Sequence, residues 1–474
     1  MIRVRGQGAG KDYDVSLSLT SQDNGPGNFE WTIEGFPPGK PPAVAGDLLR
    51  VARGAHLADR LVRRGHNFTR SQRKIKVDIP VAEPAKWRRL SPLLERLVEF
   101  ATGGDEWSFS FSKAAGDSVF PEVAGAARKM PSRPKPSVIA LFSGGLDSLC
   151  GAAYLASLKN SEPHFVTHSP PGQETIQKLT RKTFERFGRE LAPGTGTSFR
   201  LEVREANVTG VRSMFQEPSR RTRPFYFLAL ACATAIGAET PDVQMSENGA
   251  LALSLPYRFD VHGPLMARQA HTFLLHGFER LLSELIPDVA WAVRNPFFNE
   301  TKGEACLRLG PAKDLAVLSA SCEYLGRQRA VMISWKRQHR KRAKVFGDGP
   351  HCGLCVPCLV RRAALKRARI EDSDANYYGC APAILADVDR RGSAIDFFGR
   401  DQAPPLMNML VPNVVYMDRH CKWLSASSLP DFAARYLPEL RAGRPLSGSP
   451  SMNIREMHEL ARRYATEILD FLNG

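Results

Sequence analysis

The chain has 474 residues, 43% hydrophobic and 24% charged, with a formal net charge of +16 and a pI near 9.6. Such a length and composition suit a soluble globular protein of roughly two to four domains. No run of about eighteen apolar residues occurs, which excludes a transmembrane helix by hydropathy and any membrane partner of that kind, and nine cysteines, an odd number, exclude a simple disulfide framework. The opening stretch MIRVRGQGAGKDYD has no apolar segment of the secretory kind, so a reduced, cytoplasmic setting is expected. The positive charge attracts polyanions: nucleic acid, nucleotides, an acidic partner or a membrane surface. An arginine-rich solubility surface gives the same numbers, so nucleic acid is admitted but not favoured.

Residues 1–128 read as an α+β domain. Tyr13, Val15, Leu17 and Leu19 alternate, as do Ile75, Val77 and Ile79, and then Trp107, Phe109 and Phe111. Each set predicts a half-buried strand. Val44, Leu48, Val51, Ala55, Ala58 and Val62 follow helical spacing, and so do Leu90, Leu94 and Leu97. Residues 129–137 (KMPSRPKPS), with three prolines and three basic residues, read as a linker.

Residues 138–370 change in texture. Val138 to Phe142 is a short, wholly apolar run that suits a buried parallel strand. Further strands are predicted at 164–168, 199–203 and 243–246, with helical stretches between them, including Phe225 to Ile236. This alternation predicts an α/β fold with a doubly wound parallel sheet. Residues 371–474 read as a mostly helical extension. It ends in an amphipathic helix through Met457, Leu460, Ala461, Tyr464, Ile468 and Leu472, whose expected role is packing.

The first chemical motif is Ser143-Gly144-Gly145-Leu146-Asp147-Ser148, directly after the apolar strand. Backbone amides, serine hydroxyls and a helix N-terminus together suit pyrophosphate. Paired glycines let the backbone approach it and adopt positive φ. Asp147 repels phosphate unless a cation intervenes, which points to Mg²⁺. Asp147 also fits as a helix cap. The loop is not a Walker A motif, because its terminal Gly-Lys-Ser/Thr is missing.

The second motif is Cys352-Gly-Leu-Cys355-Val-Pro-Cys358. Tetrahedral zinc takes four soft ligands, and Cys322 is the expected fourth, with His351 as rival. A redox pair, a set of core cysteines or a Cys₃-ligated iron–sulfur cluster are the alternatives.

The loop SGGLDS resembles the signature of the PP-loop ATP pyrophosphatases. Together with Ser321-Cys322 and HCGLCVPCLVRR it resembles QueC, the 7-cyano-7-deazaguanine synthase family, and in particular the QueC-like proteins of bacterial anti-phage operons, the Qat and type IV CBASS systems. The resemblance covers about residues 137–370. It departs from QueC in the long stretch between Cys322 and Cys352, which carries Lys336, Arg337, Arg340, Lys341, Arg342 and Lys344.

The resemblance implies a PP-loop ATPase fold with ATP, Mg²⁺ and Zn²⁺ as cofactors and a 7-deazaguanine as substrate. The acceptor is ammonia or the N-terminal amine of a partner protein from the same operon, and a homodimer is a further option. Asn295-Pro296 and Thr301-Lys302-Gly303-Glu304 are similar to the family's lysine segment, with Lys302 serving the phosphates. His168 and Ser169 fall where such folds meet adenine. Arg361 falls at the family's arginine position. Ser246-Glu247-Asn248-Gly249 follows a predicted strand, where Glu247 could accept from a guanine-like ring; an ordinary turn explains it equally well. Arg220, Arg221 and Arg223 precede a helix and could face phosphates. Arg268 and His271 sit on a predicted helix, for substrate or for structure. Transfer RNA modification, or an ATP-sensing subunit without turnover, are the competing functions.

Overall fold

The computed structural model describes residues 2–8, 10–17, 29–34, 42–65, 72–114, 135–158, 161–168, 196–203, 217, 221–255, 268–322, 333–334, 337–338, 349–373, 376–378, 405–442 and 452–473. Ser169, Arg220, most of the basic stretch before Cys352 and the segment through Pro404 lie outside these residues.

The chain opens with β1 (Ile2–Gly8), β2 (Lys11–Leu17) and β3 (Phe29–Glu34), then α1 (Ala43–Leu61), β4 (Lys74–Val81), α2 (Pro84–Thr102) and β5 (Glu106–Lys113). Four of the strands form one sheet in the order β2-β1-β4-β5. β1 is antiparallel to both its neighbours, and β4 and β5 run parallel. Period-two alternation buries Ile75, Val77, Ile79 and Val81 on β4 and Trp107, Phe109 and Phe111 on β5.

The second sheet holds β6 (Val138–Leu141), β7 (Pro163–His168), β8 (Gly196–Val203), β9 (Asp242–Gln244) and β10 (Ala292–Arg294). Its order is β10-β9-β6-β7-β8-β3. The first five are parallel, and β3 joins β8 antiparallel at the edge. The α/β class and parallel sheet expected from sequence are therefore present. The edge is a difference: a strand from residues 1–128 completes the second sheet, pairing all six of its residues with β8.

Helices cover both faces of this sheet. Alternation along β6 sends Val138, Ala140 and Phe142 into a core with α3 (Leu146–Ser157), while Ile139 enters the core containing α4 (Arg223–Gly237) and α6 (Thr272–Leu285). That second core continues through α1 and α2 into the first sheet. α1 lies between β4 and α4, so it is buried on nearly every side.

Asp59 of α1 is accordingly paired, in a buried network. Arg73, fully buried, reaches Asp59 Oδ1 (2.6 Å) and Asp105 Oδ2 (2.6 Å). Asp105 also meets Arg64 at 2.5 Å, and Asp59 accepts from the Thr222 amide just before α4 at 2.9 Å. Burial, then Arg64, pushes Arg221 down to about 10 beside this network. Arg223 lies over the Phe227 ring.

The strands step outward from β6 to β7 and β8, then return to the other side of β6 for β9 and β10. The connections leaving β6 and β9 therefore diverge. In an open α/β sheet that crevice, at the carboxyl ends of the strands, is where ligands bind.

The remaining elements are α5 (Gly249–Ala252), α7 (Lys302–Leu307), a 3₁₀ segment (Gly310–Leu318), α8 (Val356–Arg367), α9 (Pro405–Ala426), α10 (Leu429–Ala442) and α11 (Ile454–Asn473). α11 packs against α8, α9 and α10 in a third core. It buries Leu460, Ala461, Tyr464 and Ile468, the face its spacing predicts. Arg268 and His271 depart from expectation. Arg268 precedes α6, and His271 is its N-cap, its ring nitrogen accepting from the Phe273 amide. Among the described residues no helix is long and apolar enough to cross a membrane.

Candidate active site and metal centre

The loop after β6 turns through Gly144, whose φ of +75° is one that side chains resist. Gly145 then caps α3. The two serines fold the loop on itself: Ser148 Oγ donates to the Gly145 carbonyl (2.8 Å) and accepts from the Ser143 amide (3.3 Å). The Gly145 amide donates to Ser143 Oγ at 3.3 Å. The first amides of any helix have no partner within it, so the start of α3 offers donors where the loop opens.

Asp147 lies in the first turn of α3. Lys302 Nζ stands 2.5 Å from Asp147 Oδ2, with both side chains nearly buried. Asn248 Nδ2 donates to Asp147 Oδ1 (3.2 Å) and to Glu247 Oε1 (3.2 Å), bridging the two carboxylates. Burial pushes Glu247 well above the usual carboxylate range; Asp147 adds to this and Lys302 opposes it. Burial acts against the charge on Lys302, but Asp147 and then Glu247 outweigh it, so its ammonium is held more firmly than usual.

Each of these side chains is fixed from behind. Asn248 caps α5 by accepting from the Leu251 amide. The Asn295 side chain accepts from the Glu247 amide (3.1 Å) and donates to the Glu247 carbonyl (2.8 Å), tying the ends of β9 and β10 together. Lys302 is the first residue of α7, which begins with a capping box between Thr301 and Glu304. Gly151 on α3 lies so close to Ser246 that a Cβ would stand 2.1 Å from Ser246 Oγ.

The sulfurs of Cys322, Cys352, Cys355 and Cys358 all lie within 4.8 Å of one another. Cys352 and Cys358 are 3.8 Å apart, and Cys355 and Cys322 are 4.0 Å apart. A tetrahedron of metal–sulfur bonds of about 2.3 Å has edges of about 3.8 Å, so the quartet is spaced for an ion rather than for disulfides. Two backbone amides donate to its sulfurs, Cys352 to Cys322 Sγ (3.3 Å) and Cys355 to Cys352 Sγ (3.2 Å). Hydrogen bonds from Cys352, Cys355 and Cys358 drive the Cys322 thiol far below its usual range. Cys355 is driven up, chiefly by Cys322 and Cys352. Metal ligation requires the thiolate form of each sulfur, which a bound cation favours. The rival His351 stands apart from the quartet, where its Nε2 meets the Ser321 amide at 3.5 Å. The four cysteines could hold a metal ion.

The two centres are joined. The Ala320 amide donates to the Gly144 carbonyl at 2.9 Å, two residues before Cys322. Arg361, which the sequence offers as a substrate contact, is engaged with the chain itself. It is buried and its guanidinium donates to Ser319 Oγ (2.5 Å), the Ser319 carbonyl (3.1 Å) and the Ala316 carbonyl (2.7 Å). It therefore holds the segment connecting loop and cysteines. Arg268, expected to serve substrate or structure, lies 4.5 Å over the Phe100 ring of α2 and donates to the Phe100 carbonyl. His168, at the end of β7, packs against Tyr226 and Phe227.

Sequence reasoning missed Asn295 as a clamp, although it quoted the residue. It also missed the capping box, whose Thr-x-x-Glu pattern is readable. Compared with protein-family models and with curated proteins, the chain matches none of them.

Proposed function

We propose that the chain is an ATP-dependent C–N ligase of the PP-loop type, which cleaves ATP to AMP and pyrophosphate to activate the carboxylate of a 7-deazaguanine. The observation that carries this reading is the meeting of Asp147, Lys302, Glu247 and Asn248, from separate stretches of the chain, beside the switch point between β6 and β9. Amides at the start of α3, with the Ser143 and Ser148 hydroxyls, are suited to the pyrophosphate. The Asp147 carboxylate would hold Mg²⁺, whose role would be to neutralise phosphate charge.

A substrate carboxylate oxygen attacks the α-phosphorus. The bond to the β-phosphate oxygen breaks, and pyrophosphate leaves with the electron pair. Lys302 places a fixed positive charge where that negative charge develops. An amine then attacks the acyl carbon, AMP departs, and the nitrogen loses its proton to give an amide. Glu247, when ionised, would accept from the N1–H and amino group of a guanine-like ring. The four cysteines would bind zinc in a closed shell, a structural role, steadying the segment that contacts Gly144.

The acceptor follows from the resemblance alone: ammonia, or the N-terminal amine of a partner protein in anti-phage defence. The test is pyrophosphate release from ATP and Mg²⁺ with 7-carboxy- or 7-cyano-7-deazaguanine, with and without ammonia, against Asp147→Ala. Deazaguanine-dependent release abolished by the substitution is expected. Release indifferent to both compounds would remove the deazaguanine reading and leave transfer RNA modification or ATP sensing.

A further inference from the structure

The C-terminal helix α11 contributes a buried carboxylate to the back of this site. Glu467 accepts from the Thr301 hydroxyl through Oε1 and from the Gly303 amide through Oε2, the latter at 3.2 Å. Both partners flank Lys302. Glu467 is 7% exposed and Thr301 fully buried. The fit at Gly303 is close: a Cβ there would stand 2.5 Å from Glu467 Oε1 and 2.7 Å from Arg367 Cγ. Arg463, one turn earlier on α11, donates to the Asn299 carbonyl (2.8 Å) and pairs with Glu304 at 3.5 Å. On the neighbouring element, a Cβ at Gly249 would stand 2.7 Å from Leu460 of α11, so the same helix backs the turn carrying Glu247 and Asn248.

A helix needs no carboxylate from 164 residues away merely to begin, since Thr301 and Glu304 already cap α7 between themselves. A second acceptor on the same hydroxyl and on the amide after Lys302 does something further. It holds the peptide unit after Lys302 and the side chain of the residue before it, and hence restricts the direction in which the Lys302 side chain leaves the backbone. Lys302 has four rotatable side-chain bonds and a single charged contact, Asp147, among its described ion pairs. Restricting its root limits where the ammonium can go when Asp147 turns to another partner.

We infer that Glu467 is a positioning residue for Lys302, so that the C-terminal helix is a working part of the phosphate-activating site rather than a packing appendage. This rests on the reading of Lys302 as the group that stabilises departing pyrophosphate.

The experiment compares full-length wild type with Glu467→Gln and Glu467→Ala. Glutamine can still accept from the Gly303 amide while donating to Thr301 Oγ1, keeping the geometry without the charge; alanine keeps neither. Pyrophosphate release with ATP, Mg²⁺ and the deazaguanine carboxylate is expected to lose about tenfold or more in kcat in the alanine variant, with the KM for ATP changed less than threefold or so. The glutamine variant should stay within about threefold of wild type. A second readout needs no turnover: the rate at which a small amine-reactive ester acylates Lys302, followed by peptide mass spectrometry. It should rise severalfold in Glu467→Ala and return in Glu467→Gln.

Unchanged kcat and unchanged acylation in Glu467→Ala would overturn the inference, as would equal loss in both variants with Lys302 acylation unmoved. If wild type releases no pyrophosphate yet acylation follows Glu467, the reaction assigned to the site fails while the positioning role stands.

Discussion

Lys302→Met tests the ion cluster most directly. The substitution keeps much of the side-chain volume but removes a cation that pairs with Asp147 and acts on Glu247. Asn248 then remains as the shared donor to two nearly buried carboxylates. Removing one partner of a buried pair costs about 3–5 kcal/mol, and proton uptake by the cluster returns part of it. Glu247 is already raised above the ordinary carboxylate range by burial and by Asp147, and Lys302 is what restrains the rise. The folded variant therefore binds protons more tightly than the unfolded chain over a wider range. A group so raised stabilises the fold fully at low pH and loses that contribution as pH climbs.

The deficit of Lys302→Met against wild type should consequently be larger at pH 8 than at pH 5, read from urea unfolding at both values. Pyrophosphate release should fall by about 10²–10³-fold, the range for losing one preorganised group that stabilises charge in a transition state. A deficit equal at the two pH values would refute the charge argument, and undiminished release would refute the role given to Lys302.

Three further outcomes are expected. Cys355→Ser should lower bound zinc, measured by elemental analysis, from about one ion per chain and reduce the melting temperature, because metal affinity is folding free energy for such sites; metal content unchanged by the substitution would refute the assignment of this quartet. Glu467 is pushed up to about 7 by burial, with Glu304 adding to the rise and Thr301, Gly303 and Arg367 opposing it. Its contribution to stability is thus full below pH 4.5, its ordinary value, and declines as pH rises to 7. Glu467→Gln should accordingly gain on wild type by up to about 3 kcal/mol over that interval in pH-dependent unfolding, and a pH-independent difference would contradict it. Arg73→Met, which strands Asp59 in the core, should cost about 3–5 kcal/mol by urea titration, and a loss under about 1 kcal/mol would show that Thr222 alone suffices to hold that carboxylate.

The parts of the site that were legible in sequence are those whose chemistry demands neighbours along the chain. A phosphate loop needs its glycines and serines within one turn, and Cys352, Cys355 and Cys358 must be closely spaced to share an ion. Cys322 was reachable because four soft ligands require one more. Glu467 was not, because nothing near it in sequence marks a glutamate on an amphipathic helix as buried; only the docking of α11 on α7 does so. For Arg361, its place in a motif says nothing of which way its guanidinium turns; the structure turns it to the carbonyls of Ala316 and Ser319. In the fold, the apolar alternations on β4 and β5 and the short apolar run of β6 were readable. β10, three residues long, is too short to show a period. Phe29–Glu34 carries alternating apolar residues, but a strand's own sequence does not say which sheet it will join.

That last strand sets a timetable for folding. β3 emerges from the ribosome early, yet the strand it must pair with lies at residues 196–203. At about 5–20 residues per second, synthesis leaves β3 without its partner for roughly 10–30 s. The first sheet has its four strands by residue 113 and can form meanwhile, with β3 looped out of it. A chain trimmed to begin after that sheet would instead leave β8 with one row of backbone donors and acceptors open, the template on which strands from separate molecules join. Dividing the protein at the proline-rich stretch should therefore yield aggregates from the C-terminal piece, which loses both that strand and the packing of α1 and α2.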